Sequence, residues 1–472
     1  MWDLERFGSR ICLTGENGDN YTYSDVDSIG ADIARHVGKR CLVFLLCRNV
    51  PESIIGYVSF LNHGIVPAML AAHMDESLFR RLVLIYEPHF FWAPADMSEM
   101  LENFRYSRVF GFGSYALFES AVKQDCRLHD DLCLLLTTSG STGSPKFVRQ
   151  TYKNVSSNAH AITEYLKLDE SERPITTLPM NYTYGLSIIN SHLMKGAGVL
   201  VTEKGIMQKE FWDFFRKYEA TSFGGVPYTY EMLDKLRFYR MDLPSLRSMT
   251  QAGGKITEKL HEKMAAYALE TGRSFYVMYG QCEATARMGY LPPERSLEKK
   301  GSMGIAIPGG KFTLIDDNGN VITSPGVTGE LIYEGDNVTP GYAESKDDLN
   351  LGDERQGRLE TGDMAYFDGD GYFYISGRKN RFLKMFGNRV NLDETERLIK
   401  DRFSLRTACA GYDDHMYIFL TAEDIGDEVR KYVSDMTHIH RSAFKAVVLD
   451  EIPMTESGKT KYAGLENYYD HG

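Results

Sequence analysis

A chemically rich segment, TTSGSTGSPKFVR at residues 137–149, directly follows the apolar run LCLLL at 132–136. A buried strand that leads into a loop of backbone N–H groups, hydroxyls and one lysine is suited to hold phosphate groups. The segment is not a Walker phosphate loop, because two residues separate Gly143 from Lys146, whereas that motif has the lysine directly after its second glycine. On composition alone, a Gly/Ser-rich surface loop is an equally good interpretation.

Further motifs along the chain decide between these interpretations. They are YTYSDV (21–26), LPMNYTYGLS (178–187), QAGGKIT (251–257), YGQCEA (279–284), LETGDMAYFDGDGYFYISGR (359–378), FLKMFGNRV (382–390) and PMTESGKTKY (453–462). In content and order, these segments and the phosphate-binding loop resemble the adenylate-forming superfamily. That group holds acyl-CoA synthetases, aryl-CoA ligases, luciferases and the adenylation domains of nonribosomal peptide synthetases. The resemblance covers nearly the whole chain.

The resemblance implies an AMP-forming acid–thiol ligase that uses ATP and Mg²⁺. A carboxylate attacks the α-phosphate of ATP and expels pyrophosphate, so catalysis is mainly positioning and neutralisation of negative charge. Lys459 in S-G-K is implied to bridge the substrate carboxylate and the α-phosphate, Glu283 to bind Mg²⁺, and Lys146 to add a point charge. The loop residues implied to hold the phosphates are Thr138, Ser139, Gly140, Ser141, Thr142 and Gly143. Lys461 is the neighbouring lysine that the motif register excludes.

The nucleotide site is implied by three of the motifs. Gly253 and Gly254 lie in the segment expected along the adenine, and Tyr279 is expected to stack on the base. Asp363 is expected to accept the ribose hydroxyls and Arg378 to donate to the ribose or phosphate side. Taken as lone residues, a turn Asp, a strand-end Arg and a core Tyr all have ordinary structural interpretations.

The acyl pocket is expected from three segments that include LPMNYTYGLS. Tyr182, Tyr184 and Tyr228 suggest a restricted, partly polar pocket for a small carboxylic acid. Amino-acid-activating relatives have an Asp at the position of Gly185, which favours an aryl, short or hydroxylated acid over a free α-amino acid. Cys282 stands where the family usually has Thr, and a thiol is a poor partner for Mg²⁺ or phosphate.

The second half-reaction is expected to follow a rotation of the C-terminal domain. Asn380, just after G-R, is the implied hinge, and Gly387 is implied to border the path of an incoming pantetheine thiol. The acceptor is coenzyme A or the phosphopantetheine of a carrier protein. Because the sequence has no G-x-D-S-L attachment motif, we expect any acyl carrier protein to be a separate chain.

The elements that position these motifs alternate between apolar strands and helices, which predicts an α/β fold with mostly parallel sheets. Examples are the strand CLVFLLC at 41–47 and the helix from Pro51 to about Gly64. In addition, Ser24 is expected to be the N-cap of the helix that follows YTY. From residue 311 short strands and Asp-Asn-Gly turns predict a more antiparallel, β-rich subdomain. We place an N-terminal AMP-binding and acyl-pocket domain at 1–379 and a small, mobile α+β C-terminal domain at 380–472.

Composition sets outer limits on function. The chain has 472 residues and a net charge of −12, so no broad nucleic-acid surface is expected. No apolar run is long enough for a membrane span, and the start lacks an apolar signal core. Seven scattered cysteines without a C-x-x-C pair favour reduced thiols in the cytoplasm.

Three alternatives to the ligase remain open at this point. The chain could be a stand-alone adenylation enzyme that loads only a carrier protein, or a catalytically weak protein that binds an adenylate. Cys282 and Asn380 differ from the residues usual in the family and support the catalytically weak adenylate-binding protein. The full set of charged motif residues argues against that alternative. An oxidative fate of the adenylate, as in luciferases, has no supporting feature in the sequence.

Overall fold

The computed structural model describes residues 1–122, 127–137, 146–379, 381–386, 388–422, 424–437, 439–455 and 459–469, with the backbone alone at 388 and 389. The first region has helices α1 (Leu4–Phe7), α2 (Tyr23–Val37), α3 (Pro51–Asn62), α4 (Glu76–Tyr86) and α5 (Ser98–Asn103). Its strands are β1 (Ile11–Gly15), β2 (Asn20–Thr22), β3 (Leu42–Cys47), β4 (Val66–Ala71), β5 (Phe90–Pro94), β6 (Tyr106–Phe112), β7 (Tyr115–Ser120) and β8 (Leu132–Thr137).

The middle region continues the alternation of helices and strands. Its helices are α6 (Tyr152–Tyr165), α7 (Thr183–Met194), α8 (Lys209–Lys217), α9 (Pro227–Lys235) and α10 (Glu258–Glu270). Its strands are β9 (Phe147–Thr151), β10 (Pro174–Ile175), β11 (Val199–Val201), β12 (Ser222–Gly225), β13 (Ser248–Gln251), β14 (Ser274–Tyr279), β15 (Gly289–Leu291) and β16 (Ile305–Ala306).

The last part of the chain is richer in strands. Before residue 379 these are β17 (Lys311–Ile315), β18 (Val321–Ile322), β19 (Gly329–Glu334), β20 (Gly341–Ala343), β21 (Arg358–Phe367) and β22 (Phe373–Arg378). After it come β23 (Phe382–Met385), β24 (Asn388–Asn391), α11 (Leu392–Phe403), β25 (Thr407–Tyr412), β26 (His415–Leu420), α12 (Gly426–Thr437) and β27 (Phe444–Val448). Short 3₁₀ helices span Ala95–Met97, Phe238–Arg240, Cys282–Ala284, Pro293–Arg295, Asp347–Asn350, Arg441–Ala443 and Leu465–Tyr468.

Two large, mixed sheets form the body of the molecule. One has the order β16-β15-β14-β13-β12-β10-β11-β1-β2, and the other has the order β20-β9-β8-β4-β3-β5-β7-β6. The inner strands run parallel, as in β12, β13 and β14, where Ser222 lies opposite Ser248 and Ser248 opposite Ser274. All six residues of β3 are buried, which explains why its sequence is continuously apolar rather than alternating. The predicted α/β class is therefore confirmed.

The antiparallel sheet expected after residue 311 is also present. It has the order β18-β17-β19-β21-β22, and all its pairs are antiparallel. The register of β21 and β22 places Asp363 directly opposite Arg378. Side chains that lie opposite each other across an antiparallel pair are close enough to interact. The sheet therefore brings two residues of one sequence motif together.

Beyond Arg381 two small sheets and two helices form a separate hydrophobic cluster, centred on buried residues such as Met385, Ile399 and Ile418. In the described parts of the chain, no strand pairs across residues 379–381. The proposed domain boundary lies at this point and stays a prediction.

One local expectation was wrong. Ser24 does not cap α2, because the helix already begins at Tyr23. Thr22 is the N-cap: its hydroxyl accepts from the backbone N–H of Asp25, and the Asp25 carboxylate accepts from the Thr22 backbone N–H. This reciprocal capping box satisfies two N–H groups that a serine one residue later would leave without partners.

Candidate active site

A crevice of about 530 Å³ lies where β13 and β14 end and faces residues of β22, α11 and the last described segment. Its lining includes many of the residues predicted for the site, namely Gly253, Gly254, Tyr228, Tyr279, Asp363, Arg378 and Lys459. Ligands of open α/β sheets bind beyond the carboxyl ends of the strands, and this crevice has that position. Lys146, Tyr182, Tyr184, Gly185 and Glu283 do not line it.

Asp363 is the centre of a hydrogen-bonded cluster at this crevice. Its Oδ1 lies 2.7 Å from Arg378 Nε, and its Oδ2 accepts from the Tyr279 hydroxyl and, at 2.8 Å, from Gln281 Nε2. Burial raises the pKa of the Asp363 carboxyl, while the Arg378 charge opposes that effect. A carboxylate has about four acceptor positions, so these three donors leave about one free. Gln281 was not predicted from the sequence.

The QAGGKIT segment begins with a side chain that lines the crevice. Gln251 is buried; its Nε2 donates to the Gly254 carbonyl at 2.8 Å, and its Oε1 has no hydrogen-bond partner among the described residues. Gly253 has φ +83°, and a Cβ there would lie 2.6 Å from the Tyr182 hydroxyl oxygen. Glycine is therefore required at 253 both by backbone conformation and by the close approach of Tyr182.

Lys459 enters the crevice from the C-terminal segment. Its Nζ lies 5.9 Å from the centre of the Tyr182 ring. Burial lowers the pKa of the Lys459 ammonium, and the positive charge of Arg378 adds to that effect. The backbone is held by Thr455, whose N–H donates to the Lys459 carbonyl at 2.8 Å and whose hydroxyl accepts from the Lys459 N–H at 3.1 Å. Lys461, by contrast, is exposed.

Glu283 lies in the 3₁₀ helix Cys282–Ala284, and Tyr342 of β20 contacts it. The Tyr342 hydroxyl donates to Glu283 Oε1 at 2.7 Å. Lys146 Nζ lies 4.0 Å from the centre of the same ring, and Arg355 Cζ lies 4.7 Å from it. The aromatic ring therefore joins the predicted acid and the predicted phosphate-binding lysine. Tyr342 was not predicted, because it lies 59 residues from Glu283 in a segment without a recognised motif.

Cys282 precedes Glu283 and is partly buried. Burial raises the pKa of its thiol, and the nearby Glu283 carboxylate raises it further. Both effects favour the neutral thiol over the thiolate.

The residues predicted for the acyl pocket are divided between the core and the surface. The Tyr184 side chain is buried, and its hydroxyl lies 2.8 Å from both the carbonyl oxygen and Oγ1 of Thr250. Burial raises the pKa of Tyr184 to about 12. Tyr228 is 40% exposed, and the Arg406 guanidinium lies 4.5 Å from its ring centre.

Gly185 has a packing reason to be glycine. A Cβ at this position of α7 would lie 2.4 Å from the carbonyl oxygen of Pro179, closer than backbone atoms permit. This contact alone accounts for the absence of a side chain. The residue type at 185 therefore carries less information about the substrate than the sequence comparison with amino-acid-activating enzymes implied.

Several predicted residues lie outside the described part of the chain. They are Thr138, Ser139, Gly140, Ser141, Thr142, Gly143, Asn380 and Gly387. Within the described residues there is no group of three or more His, Cys, Asp or Glu side chains arranged to hold a metal ion. No helix within the described ranges has both the length and the apolar character of a membrane span.

The sequence profile of one family, described as AMP-binding enzyme, matches residues 2–343. The chain belongs to the AMP-binding enzyme family. Among curated members, an oxalate–CoA ligase of Arabidopsis thaliana is 30% identical over 363 residues, which is 70% of this chain and 66% of that protein. A 2-succinylbenzoate–CoA ligase of Bacillus subtilis is 26% identical over 339 residues, 70% of this chain and 68% of that protein.

The chain spans less than two thirds of the length of some of these family members. The share is 66% for the Arabidopsis enzyme and 62% for an oxalate–CoA ligase of Saccharomyces cerevisiae, which is 28% identical. Among solved structures, the O-succinylbenzoate coenzyme A synthetase of Bacillus subtilis in complex with ATP and magnesium has a TM-score of 0.81 at 21% identity. That match covers 98% of each chain and shows that the two proteins share a fold.

Proposed function

We propose that this AMP-binding family member is an AMP-forming acid–thiol ligase. In the first half-reaction a carboxylic acid attacks the α-phosphate of ATP to give an acyl-adenylate and pyrophosphate. In the second, a thiol takes the acyl group and releases AMP. The observation that carries the proposal is the position of Lys459, half-buried beside Tyr182 in the crevice that Asp363 and Arg378 also line.

The crevice suits an adenine nucleotide. Gln251 Oε1 is a buried acceptor without a partner among the described residues. The 6-amino group of adenine is a hydrogen-bond donor and would satisfy this acceptor. Gly253 and Gly254 leave the crevice wall without side chains. Asp363 has roughly one unused acceptor position for a ribose hydroxyl. Release of the hydrogen bond from Tyr279 or Gln281 would free a further acceptor position. These features support the roles expected for the nucleotide motifs.

Glu283 suits a magnesium ion that is bound mainly through phosphates. Mg²⁺ prefers oxygen ligands and usually takes one or two carboxylates plus substrate phosphates. Oε1 of Glu283 is hydrogen-bonded to Tyr342, which orients the carboxylate, and no described residue donates a hydrogen bond to Oε2. When bound, the ion would neutralise charge that develops on the departing pyrophosphate. Lys146, whose Nζ lies 4.0 Å from the centre of the Tyr342 ring, adds a second positive charge.

Lys459 provides the charge that the adenylation step needs at the reacting carboxylate. The acid and the α-phosphate are both anionic, and a single ammonium between them lowers their repulsion. Because the site is partly desolvated, this attraction is stronger than it would be in water. Lys459 therefore acts by electrostatic stabilisation and positioning, while proton transfer has no required part in the step.

The acceptor and the acid are less closely defined. Curated family members named as ligases of CoA support coenzyme A as the thiol, and a carrier-protein phosphopantetheine is the second possibility. Their named acids, oxalate and 2-succinylbenzoate, differ greatly in size, so they support a small carboxylic acid as a class. Domain rotation about Asn380 and a thiol path beside Gly387 stay predictions, as does the division into 1–379 and 380–472.

A cytoplasmic location is part of the same proposal. ATP and coenzyme A are available there, and the described cysteines, such as Cys12 and Cys409, are free thiols.

An acid-dependent ATP–pyrophosphate exchange assay across a library of carboxylic acids tests the proposal and identifies the acid. Lys459→Ala should lower exchange by at least about 10²-fold, the usual size for one transition-state partner. It should still convert a supplied acyl-adenylate to the thioester. Lys461→Ala is the matched control, since it removes an exposed lysine two residues away and should leave exchange unchanged.

Two outcomes would contradict the proposal. The absence of exchange with every acid, although ATP still binds, would favour a protein that holds an adenylate without turnover. Exchange that survives in Lys459→Ala at the wild-type rate would mean that the Lys459 ammonium has no part in adenylation, and the proposed mechanism would be wrong.

A further inference from the structure

Arg287 is a buried cation without a buried counter-charge. Its residue is 2% exposed, and it lies between the 3₁₀ helix Cys282–Ala284 and β15. Nε donates to the Ser187 hydroxyl at 3.1 Å, and Nη1 donates to the Tyr165 hydroxyl at 3.0 Å and the Met278 sulfur at 3.2 Å. All three partners are neutral. Among the described residues, no carboxylate lies within ion-pair distance, and Nη2 makes no hydrogen bond.

A second arginine that is fully buried among the described residues shows the usual arrangement. Arg149 is 1% exposed, and its Nη2 pairs with the carboxylate of Glu354 while its other nitrogens donate to backbone carbonyls. A guanidinium cannot lose its proton in a protein, and an unpaired buried charge strongly destabilises the fold. A fold that keeps Arg287 in this position therefore has a reason to hold a positive charge there.

The position of Arg287 relative to the crevice indicates that reason. Its Cζ lies 5.1 Å from the centre of the Tyr184 ring, and the Tyr184 and Tyr182 rings meet edge to face with centres 6.4 Å apart. Lys459 Nζ lies 5.9 Å from the centre of the Tyr182 ring. Each of two cations therefore lies near one ring of this tyrosine pair, Arg287 near Tyr184 and Lys459 near Tyr182. One belongs to the reacting centre, and the other lies deeper in the protein.

One hydrogen-bond partner of Arg287 is a flexible side chain that lines the crevice. Met278 lines the crevice, and its sulfur is one of the two acceptors of Nη1. A thioether sulfur is a weak acceptor on an adaptable, unbranched side chain. A stronger oxygen acceptor that displaced Met278 would exchange a weak hydrogen bond for a charge-assisted one and would also engage Nη2.

We propose that Arg287 binds a second carboxylate on the acyl part of the substrate, so that the enzyme activates a dicarboxylic acid. The proposal rests on the acid–thiol ligase function. The reacting carboxylate lies toward Lys459, and the distal one accepts hydrogen bonds from Nη2 and Nη1 of Arg287. The acyl part lies beside the rings of Tyr184 and Tyr182, which are near Arg287 and Lys459, respectively. Arg287 is thus a specificity-determining residue that leaves the chemistry of adenylation unchanged.

The test compares α,ω-dicarboxylic acids of increasing length, each with its own monoamide, in wild-type pyrophosphate exchange. The best dicarboxylic acid should exceed its monoamide in kcat/KM by at least about 30-fold, the size expected for a buried, hydrogen-bonded charge pair. Most of that difference should appear in KM for the acid. A wild-type preference for the monoamide, or equal use of both, would overturn the proposal whatever the variants do.

Variants then assign the preference to Arg287. Arg287→Met should remove the preference by raising KM for the dicarboxylic acid, with KM for ATP unchanged, and Arg287→Lys should restore part of it. The control is Arg273→Gln, which removes a half-buried arginine that donates to the backbone carbonyls of Leu243 and Leu246. It should keep the wild-type ratio. If Arg287 had only a packing role, its loss would lower the melting temperature and affect acid and monoamide equally.

The outcomes also separate this inference from the general function. If no acid supports exchange, the ligase proposal fails. If many monocarboxylic acids support exchange and Arg287→Met does not change the ratio, the ligase proposal stands and the dicarboxylic specificity is wrong.

Discussion

Glu231 on α9 accepts a hydrogen bond from Arg406, with 2.9 Å between Oε2 and Nη2, across the two parts of the chain that meet at residues 379–381. Its other oxygen, Oε1, lies 2.8 Å from Nζ of Lys400 on α11. Although burial acts in the opposite direction, the charges of Lys400 and Arg406 lower the pKa of the Glu231 carboxyl. One carboxylate therefore ties two cations of the C-terminal part to the part that holds the nucleotide motifs.

We expect Glu231→Gln to slow adenylation and spare the thioester step. The ion pairs favour the arrangement in which Lys459 lies in the crevice. Loss of these partly buried pairs, at about 1 kcal/mol each, should reduce exchange about 5- to 30-fold. Conversion of a supplied acyl-adenylate to the thioester should stay the same or rise. Exchange and thioester formation, measured on the same preparation, check the prediction.

Glu219→Gln is the control for Glu231→Gln. Glu219 pairs with Arg173 at 3.2 Å, and both residues lie well before residue 379. Its loss should leave both half-reactions unchanged. Equal slowing of the two half-reactions by Glu231→Gln would mean that the residue has only a general structural role.

The pH dependence of adenylation should report the lowered pKa of Lys459. The protonated ammonium is the active form, and burial makes it lose its proton at a lower pH than a free lysine, whose pKa is about 10.4. With rising pH, kcat/KM for exchange should therefore fall before the pH reaches that value. The fall should be weaker in kcat, because bound ATP and acid are anionic and stabilise the charged form.

Lys459→Arg separates this effect from other alkaline losses. A guanidinium keeps its proton above pH 12, so the alkaline fall in kcat/KM should disappear even if the overall rate is lower. If the variant shows the same alkaline fall as wild type, another group is responsible for it.

Much of the fold follows from local sequence. The apolar runs that became β3 and β8 and the proline-initiated helix α3 were predictable, because strands buried on both faces have continuous apolar sequences. The strand β10 was not predictable. It has two residues, Pro174 and Ile175, and exists only because β11 and β12 pair with it in parallel on either side.

The site was predictable where one motif holds both partners. Asp363 and Arg378 belong to the same segment, and the register of β21 and β22 explains why they meet. Tyr342 and Arg287 were missed, since their importance comes from contacts with residues distant in sequence. No local pattern marks a tyrosine that bonds Glu283 or an arginine that lacks a counter-charge.

The nucleotide preference depends on Asp363 and Gln251. ATP with Mg²⁺ should raise the melting temperature, because a ligand that binds only the folded state stabilises it. GTP should raise it much less, since its 6-oxo group presents an acceptor to Gln251 Oε1. Asp363→Ala should abolish most of the ATP effect. Asp316→Ala should retain it, because this partly exposed aspartate lies beside the turn between β17 and β18. Equal protection by GTP and ATP would contradict the role of the QAGGK segment.

The hydroxyl of Tyr342 should set the magnesium requirement through Glu283. Tyr342→Phe keeps the ring that Lys146 and Arg355 contact but removes the 2.7 Å hydrogen bond to Oε1. Loss of such an outer partner usually weakens metal binding about 10- to 100-fold, so the Mg²⁺ concentration for half-maximal exchange should rise by at least about tenfold. Exchange at saturating Mg²⁺ should stay close to wild type.

A matched control for Tyr342→Phe is available on β22. The Tyr374 hydroxyl also donates to a carboxylate, Oδ2 of Asp368 at 3.2 Å, on the antiparallel sheet. Tyr374→Phe removes the same kind of hydrogen bond and should leave the Mg²⁺ dependence unchanged. If Tyr342→Phe lowers the maximal rate but not the apparent Mg²⁺ affinity, Tyr342 acts on Lys146 rather than on Glu283.

The metal role proposed for Glu283 would then have to be tested directly by Glu283→Gln, which should raise the Mg²⁺ requirement further than the loss of the tyrosine hydroxyl does.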